Sequence, residues 1–143
     1  MKTIIGHLPK LLLAVTMLVA LLLPVQTFAA ICFKASYGSS ETTIKLTVQG
    51  VAEEFFSLVG EGIHANCSVS LQSAPLTGAA HLRSDGKVHF SVTVGGTAGC
   101  DPIAFSGLLD PPSFNTGNGT YDVVNGVFGN ATFSAASCIP LPQ

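Results

Sequence analysis

The chain has 143 residues, with six Lys and Arg against eight Asp and Glu, a formal net charge of −2, and 48% hydrophobic but only 10% charged residues. The absence of a basic surplus argues against a nucleic-acid binder or a protein drawn to anionic membranes, both of which need a positive field. The length supports one hydrophobic core rather than two.

The N-terminus reads as a secretory signal. Lys2 and Lys10 give a positive start, residues 11–23 (LLLAVTMLVALLL) are an uncharged run, apolar but for Thr16, Pro24 ends the run, and Thr27-Phe28-Ala29 supplies the small residues that signal peptidase recognises. The apolar run is short of the roughly 20 residues that a membrane span needs. Cleavage is expected after Ala29, with Ala30 the next choice, giving a signal at 1–29 and a single domain at 30–143. Lipid attachment at Cys32 is disfavoured because Ile31, not a small residue, precedes it. Without the signal, four basic side chains (Lys34, Lys45, Arg83, Lys87) stand against eight acidic ones, a net charge of −4. No membrane span is expected in the mature chain.

Four cysteines follow: Cys32, Cys67, Cys100 and Cys138. An even number in an exported chain reads as two disulfides. Zinc sites show close Cys or His pairs, whereas the gaps here are 35, 33 and 38 residues, so no metal site is expected from them.

From residue 31 onward the hydrophobic pattern repeats every two residues, in runs rich in β-branched and aromatic side chains bounded by Gly, Pro, Asn and Asp. Strands are predicted at 31–37 and 42–49, with Ile44, Leu46 and Val48 on one face. A third begins at 54–59, is bent or broken at Gly60-Glu61-Gly62, and resumes at 63–72 with Ile63, Ala65, Cys67, Val69 and Leu71 inward and His64 outward. A turn is predicted at 75–78. Residues 79–83 and 87–94 form a hairpin, 95–99 a flexible link, 103–109 a strand and 110–118 the longest loop. Residues 119–123 and 127–135 form a last hairpin.

The two hairpins allow a test of register. A two-residue turn at Asp85-Gly86 sets Leu82 against His89 and mixes the faces. A three-residue loop with Gly86 in a left-handed bulge pairs Leu82 with Val88 and gathers Leu82, Val88, Phe90, Val92 and Val94 on one side. The same argument at Val124-Asn125-Gly126 gathers Tyr121, Val123, Val127, Ala131 and Phe133. The buried pattern selects the register, because a one-residue slip turns every side chain over.

About eight short antiparallel strands joined by tight turns predict an all-β fold, an up-and-down meander closed into a barrel, with a β-sandwich as the alternative. Closure removes exposed edges. In an eight-stranded meander Cys32 and Cys138 lie at one end on neighbouring strands, and Cys67 and Cys100 lie at the other. The predicted bridges are therefore Cys32–Cys138 and Cys67–Cys100. Sequential pairing is the alternative should Gly60-Glu61-Gly62 be a full turn.

Candidate functional residues are few. In the preferred register His81 faces His89 on the outer surface, with Arg83 and Lys87 as the next pair. Like charges set opposite one another are locally unfavourable, which invites an anionic partner or a metal between the imidazoles. The plain alternative is a solubilising hairpin that blocks edge pairing. Phe114, in the long loop, either presents an exposed contact or folds back over the barrel end. Three Asn-x-Ser/Thr triplets, at Asn66, Asn118 and Asn130, are glycosylation acceptors only in a eukaryotic host. Ser, His and Asp are all present, but no nucleophile elbow or phosphate-binding loop accompanies them, so no catalytic residue and no cofactor are assigned.

These observations point to a secreted or periplasmic non-enzymatic domain that binds a protein surface or serves as a structural envelope component. The alternative is a barrel carrying a small apolar ligand, and a hydrolase is the remotest reading. The partner, a protein or a small ligand, is unspecified by the sequence. The large inward residues Phe90, Phe105 and Phe133 predict a filled interior with little room for a ligand.

Overall fold

The computed structural model describes residues 30–65 and 73–138. The predicted signal, Cys67, the 66–72 part of the third strand and the Asn66 triplet lie outside the described residues. Among the described residues eight antiparallel strands close into a meander barrel, each paired with the next and β1 with β8. They are β1 (Ile31–Tyr37), β2 (Ser40–Ala52), β3 (Phe55–His64), β4 (Ser73–Leu82), β5 (Val88–Val94), β6 (Ile103–Leu109), β7 (Gly117–Val123) and β8 (Phe128–Ala135). No described helix is long and apolar enough to cross a membrane.

Both hairpin registers are as the binary pattern requires. Leu82 pairs with Val88 and His81 with His89. Gly86 (φ 80°) and Gly126 (φ 88°) take the left-handed conformation that closes each three-residue loop at low steric cost. The backbone bonds Arg83 N–H to Lys87 O (2.9 Å) and Val123 N–H to Val127 O (2.8 Å) seal them. Asp85 and Asn125 each accept from the backbone N–H two residues on, at 3.1 and 3.2 Å, the local bond that suits these residues to turns.

Four local expectations are corrected. β3 neither bends out of the sheet nor breaks at Gly60-Glu61-Gly62; its pairing with β2 runs through these residues. The alternation set by Phe56 and Leu58 therefore continues, Gly60, Gly62 and His64 share the inward side, and His64 is buried rather than exposed. Ile63 faces out. The glycine at 62 is imposed by packing, because a Cβ there would lie 2.5 Å from Val94 Cγ1. Second, Pro75 to Gly78 is not a turn but part of β4. Pro75 sits at the strand's opening, one residue beyond the Leu76–Val94 pair that starts the β4–β5 ladder, where a missing N–H is tolerated. Third, the loop after β6 is shorter than predicted, because Gly117 and Asn118 already pair with β6. The 95–99 link is a turn rather than a free connection: Thr97 and Cys100 exchange backbone hydrogen bonds of 3.1 and 3.0 Å.

Cys32 and Cys138 are bridged, with Cα atoms 5.3 Å apart and a sequence separation of 106. The bridge fastens the chain beyond β8 to the start of β1, across the barrel seam. Cys100 is also disulfide-bonded; its predicted partner, Cys67, is outside the described residues. Disulfides are consistent with an oxidising, exported environment.

The interior is divided along the barrel axis. Its middle is filled by a cluster of rings in edge-to-face contact: Phe33 with Phe90 (5.7 Å) and Phe133 (5.6 Å), and Phe90 with Phe133 (5.0 Å). Such pairs add about 0.5–1.5 kcal/mol each beyond burial. Around them Ile44, Leu76, Val92, Val94, Ile103 and Phe105 are fully buried or nearly so.

Candidate functional site: an apolar cavity at the barrel mouth

One end of the barrel is not filled. A cavity of about 250 Å³, open to solvent on one side, lies where β1, β3 and β5 begin and β2, β4 and β6 end. Ile31, Leu46 and Val48 line it from the first two strands, and Phe56 and Leu58 from β3. Ala80 and Leu82 of β4, Val88 and Phe90 of β5 and Leu109 of β6 complete the wall. The cavity follows from the sequence of inward side chains. Near this end most are aliphatic, and Ala80 lies directly between Phe56 and Phe90 in the sheet register, where a methyl group leaves space. No lining residue carries a polar side-chain atom.

Phe114 closes part of the opening. Its ring lines the cavity and packs against the core, so the loop folds back over the barrel end. Among the described residues it is the one non-glycine with positive φ, at 51°. For an L-residue this costs about 1–2 kcal/mol. The loop holds it there: Asp110 N–H donates to Thr116 O (2.8 Å) and Phe114 N–H to Asp110 O (3.1 Å).

The basic hairpin stands at the same rim, and each of its cations has a carboxylate. Arg83 Nη2 is 3.1 Å from Asp85 Oδ2, and Lys87 Nζ is 2.7 Å from Asp110 Oδ1. The hydrogen bond and charge of Asp110 raise the Lys87 pKa above its ordinary value. The Lys87–Asp110 contact also ties the β4–β5 hairpin to the loop that carries Phe114. His81 stacks on Phe55, with ring centroids 4.7 Å apart, and its Nε2 is 3.6 Å from Glu54 Oε2. The pairing of like charges that the register imposes is thus offset by acids from the hairpin's own turn (Asp85) and from neighbouring loops (Glu54 and Asp110). Among the described residues no group of three or more His, Cys, Asp or Glu side chains is placed to hold a metal ion.

At the opposite end lies a buried polar chain that the period-two reading missed by turning His64 outward. His64 Nε2 is 3.2 Å from Gly95 O, Nδ1 is 3.2 Å from Thr42 Oγ1, and Thr42 Oγ1 is 3.0 Å from Tyr37 Oη. A carbonyl only accepts, so Nε2 carries the proton and Nδ1 accepts from Thr42, which in turn accepts from Tyr37. Thr42 is fully buried and His64 4% exposed, which makes this chain a satisfied structural link between β1, β2, β3 and the β5–β6 connection. The signal for it was the parity of Phe56 and Leu58 carried through two glycines.

The other triplets sit on the outer surface of the last hairpin, with Asn118 opposite Thr132 and Asn130 opposite Thr120. Val127 shares the side of Val123 as the register predicts, but it stands at the barrel end and is 52% exposed. Comparison with protein-family models, with curated proteins and with solved structures finds no match to the chain.

Proposed function

We propose that the protein is an exported carrier or receptor that takes a small apolar ligand into the mouth of its barrel. The observation that carries this reading is the cavity of about 250 Å³ with a wholly hydrocarbon lining. An apolar cavity of about 150 Å³ already stays dry and accepts benzene, so this one suits roughly ten non-hydrogen atoms by proportion. Burial of apolar surface supplies the driving force, and Phe114 covers part of what would otherwise be exposed. Naphthalene, with its ten carbons, is a direct probe. Calorimetric titration should give saturable one-to-one binding, within the bound of about 0.3–1.5 kcal/mol per atom for small ligands. Ala80→Phe should abolish it by filling the site. Absence of binding by a folded protein would refute the reading.

A second reading, that the protein docks onto another protein or serves as an envelope component, is supported by a different feature. Val124 in the β7–β8 turn (77% exposed) and Phe128 at the start of β8 (79% exposed) leave apolar surface near Val127, at the end opposite the cavity. Export itself rests on the sequence of residues 1–29 and on the disulfides. Intact-mass measurement of exported protein should show a chain beginning at Ala30 or Ile31.

A further inference from the structure

We infer that the cavity selects an uncharged ligand and discriminates against the corresponding carboxylate; this rests on the ligand-binding reading above and adds the chemical class. The lining has no side-chain donor or acceptor. A carboxylate placed inside would lose its hydration with nothing to replace it, so an anionic head must remain at the rim. The rim does not welcome it. Its two cations, Arg83 and Lys87, are already engaged by Asp85 and Asp110 at 3.1 and 2.7 Å. The neighbouring β2–β3 turn adds Glu53 and Glu54, both exposed. Of these six side chains two are positive and four negative, a local charge of −2 with histidines counted neutral. An anion entering the mouth either competes with a carboxylate for its cation or faces the exposed carboxylates of Glu53 and Glu54. A neutral molecule meets neither obstacle, and the loops around the mouth make no demand on it beyond shape.

The isomers methyl heptanoate and octanoic acid test this, because each has ten non-hydrogen atoms and they differ at pH 7 chiefly in charge. Both are titrated into the disulfide-intact protein, with Glu53→Gln/Glu54→Gln and Lys87→Met variants alongside. The expected result is that the ester binds at least tenfold more tightly than octanoate, and that removing the two glutamates narrows the gap. Equal or tighter octanoate binding, weakened by Lys87→Met, would overturn the inference while leaving the cavity as the ligand site. Binding of neither isomer would overturn the ligand-binding reading with it.

Discussion

Replacing Ala80 by leucine distinguishes a real cavity from a packed core by the sign of its effect. Ala80 is buried, faces inward between Phe56 and Phe90, and borders the void. The substitution adds three carbons. In a close-packed interior such an insertion costs about 1–3 kcal/mol. Here the carbons enter empty space, and at about 0.8 kcal/mol per buried methylene they contribute about 2.4 kcal/mol. Fixing the longer side chain costs about 0.5–1 kcal/mol. A net stabilisation of about 1.5 kcal/mol remains, which corresponds to several degrees in Tm for a domain of this size. Urea denaturation of the oxidised protein, followed by circular dichroism, measures it. The same variant should bind naphthalene weakly or not at all. A destabilisation of about 1 kcal/mol or more would refute the reasoning, because it would show that the space near Ala80 is already filled.

Other substitutions probe the parts that shape the site. Phe114→Ala and Phe114→Gly should both open the cavity and speed ligand release in stopped-flow measurements; the glycine variant should be the more stable by about 1 kcal/mol, since only it relieves the positive φ. Thr42→Val leaves His64 Nδ1 without a donor and should cost about 1–3 kcal/mol in a denaturation experiment. Gly62→Ala should cost about 1–3 kcal/mol through its clash with Val94, and Val94→Ala in the same chain should recover part of that loss. Removing the Cys32–Cys138 bridge as a double serine variant should cost about 2–5 kcal/mol, because the bridge joins residues separated by 106 in sequence.

Much of the architecture was legible because a β-strand writes its orientation into the sequence at period two. The pairs Leu82–Val88 and His81–His89 followed from asking which register keeps Phe90, Val92 and Val94 on one side. The Cys32–Cys138 bridge followed from counting strands in a meander. The reading failed where glycine occupies inward positions. Gly60 and Gly62 carry no hydrophobic mark, so the period-two pattern restarts at Ile63 and turns His64 to solvent, whereas His64 is buried. Proline misled in the same way at Pro75, which sits at the opening of a strand where a ladder bond can be spared. The cavity was missed for a different reason. Counting the large inward side chains says how much volume they fill, but not at what height along the barrel. Phe33, Phe90, Phe105 and Phe133 gather in the middle, while Leu46, Val48, Ala80 and Val88 are left to line the mouth. The register of the basic hairpin is as predicted, but Asp110, the partner of Lys87, comes from a loop distant in sequence and could not be paired by local pattern.

The most direct test of the central claim is a methyl-resolved NMR titration of the disulfide-intact protein with naphthalene. The account predicts saturable shifts, with contacts from ligand protons to the methyl groups of Leu46, Leu58, Leu82, Val88 and Leu109, and no such contacts at Ile44 or Ile103 in the filled interior. Contacts confined to Val124 and Val127 at the opposite end, or shifts that never saturate, would contradict it.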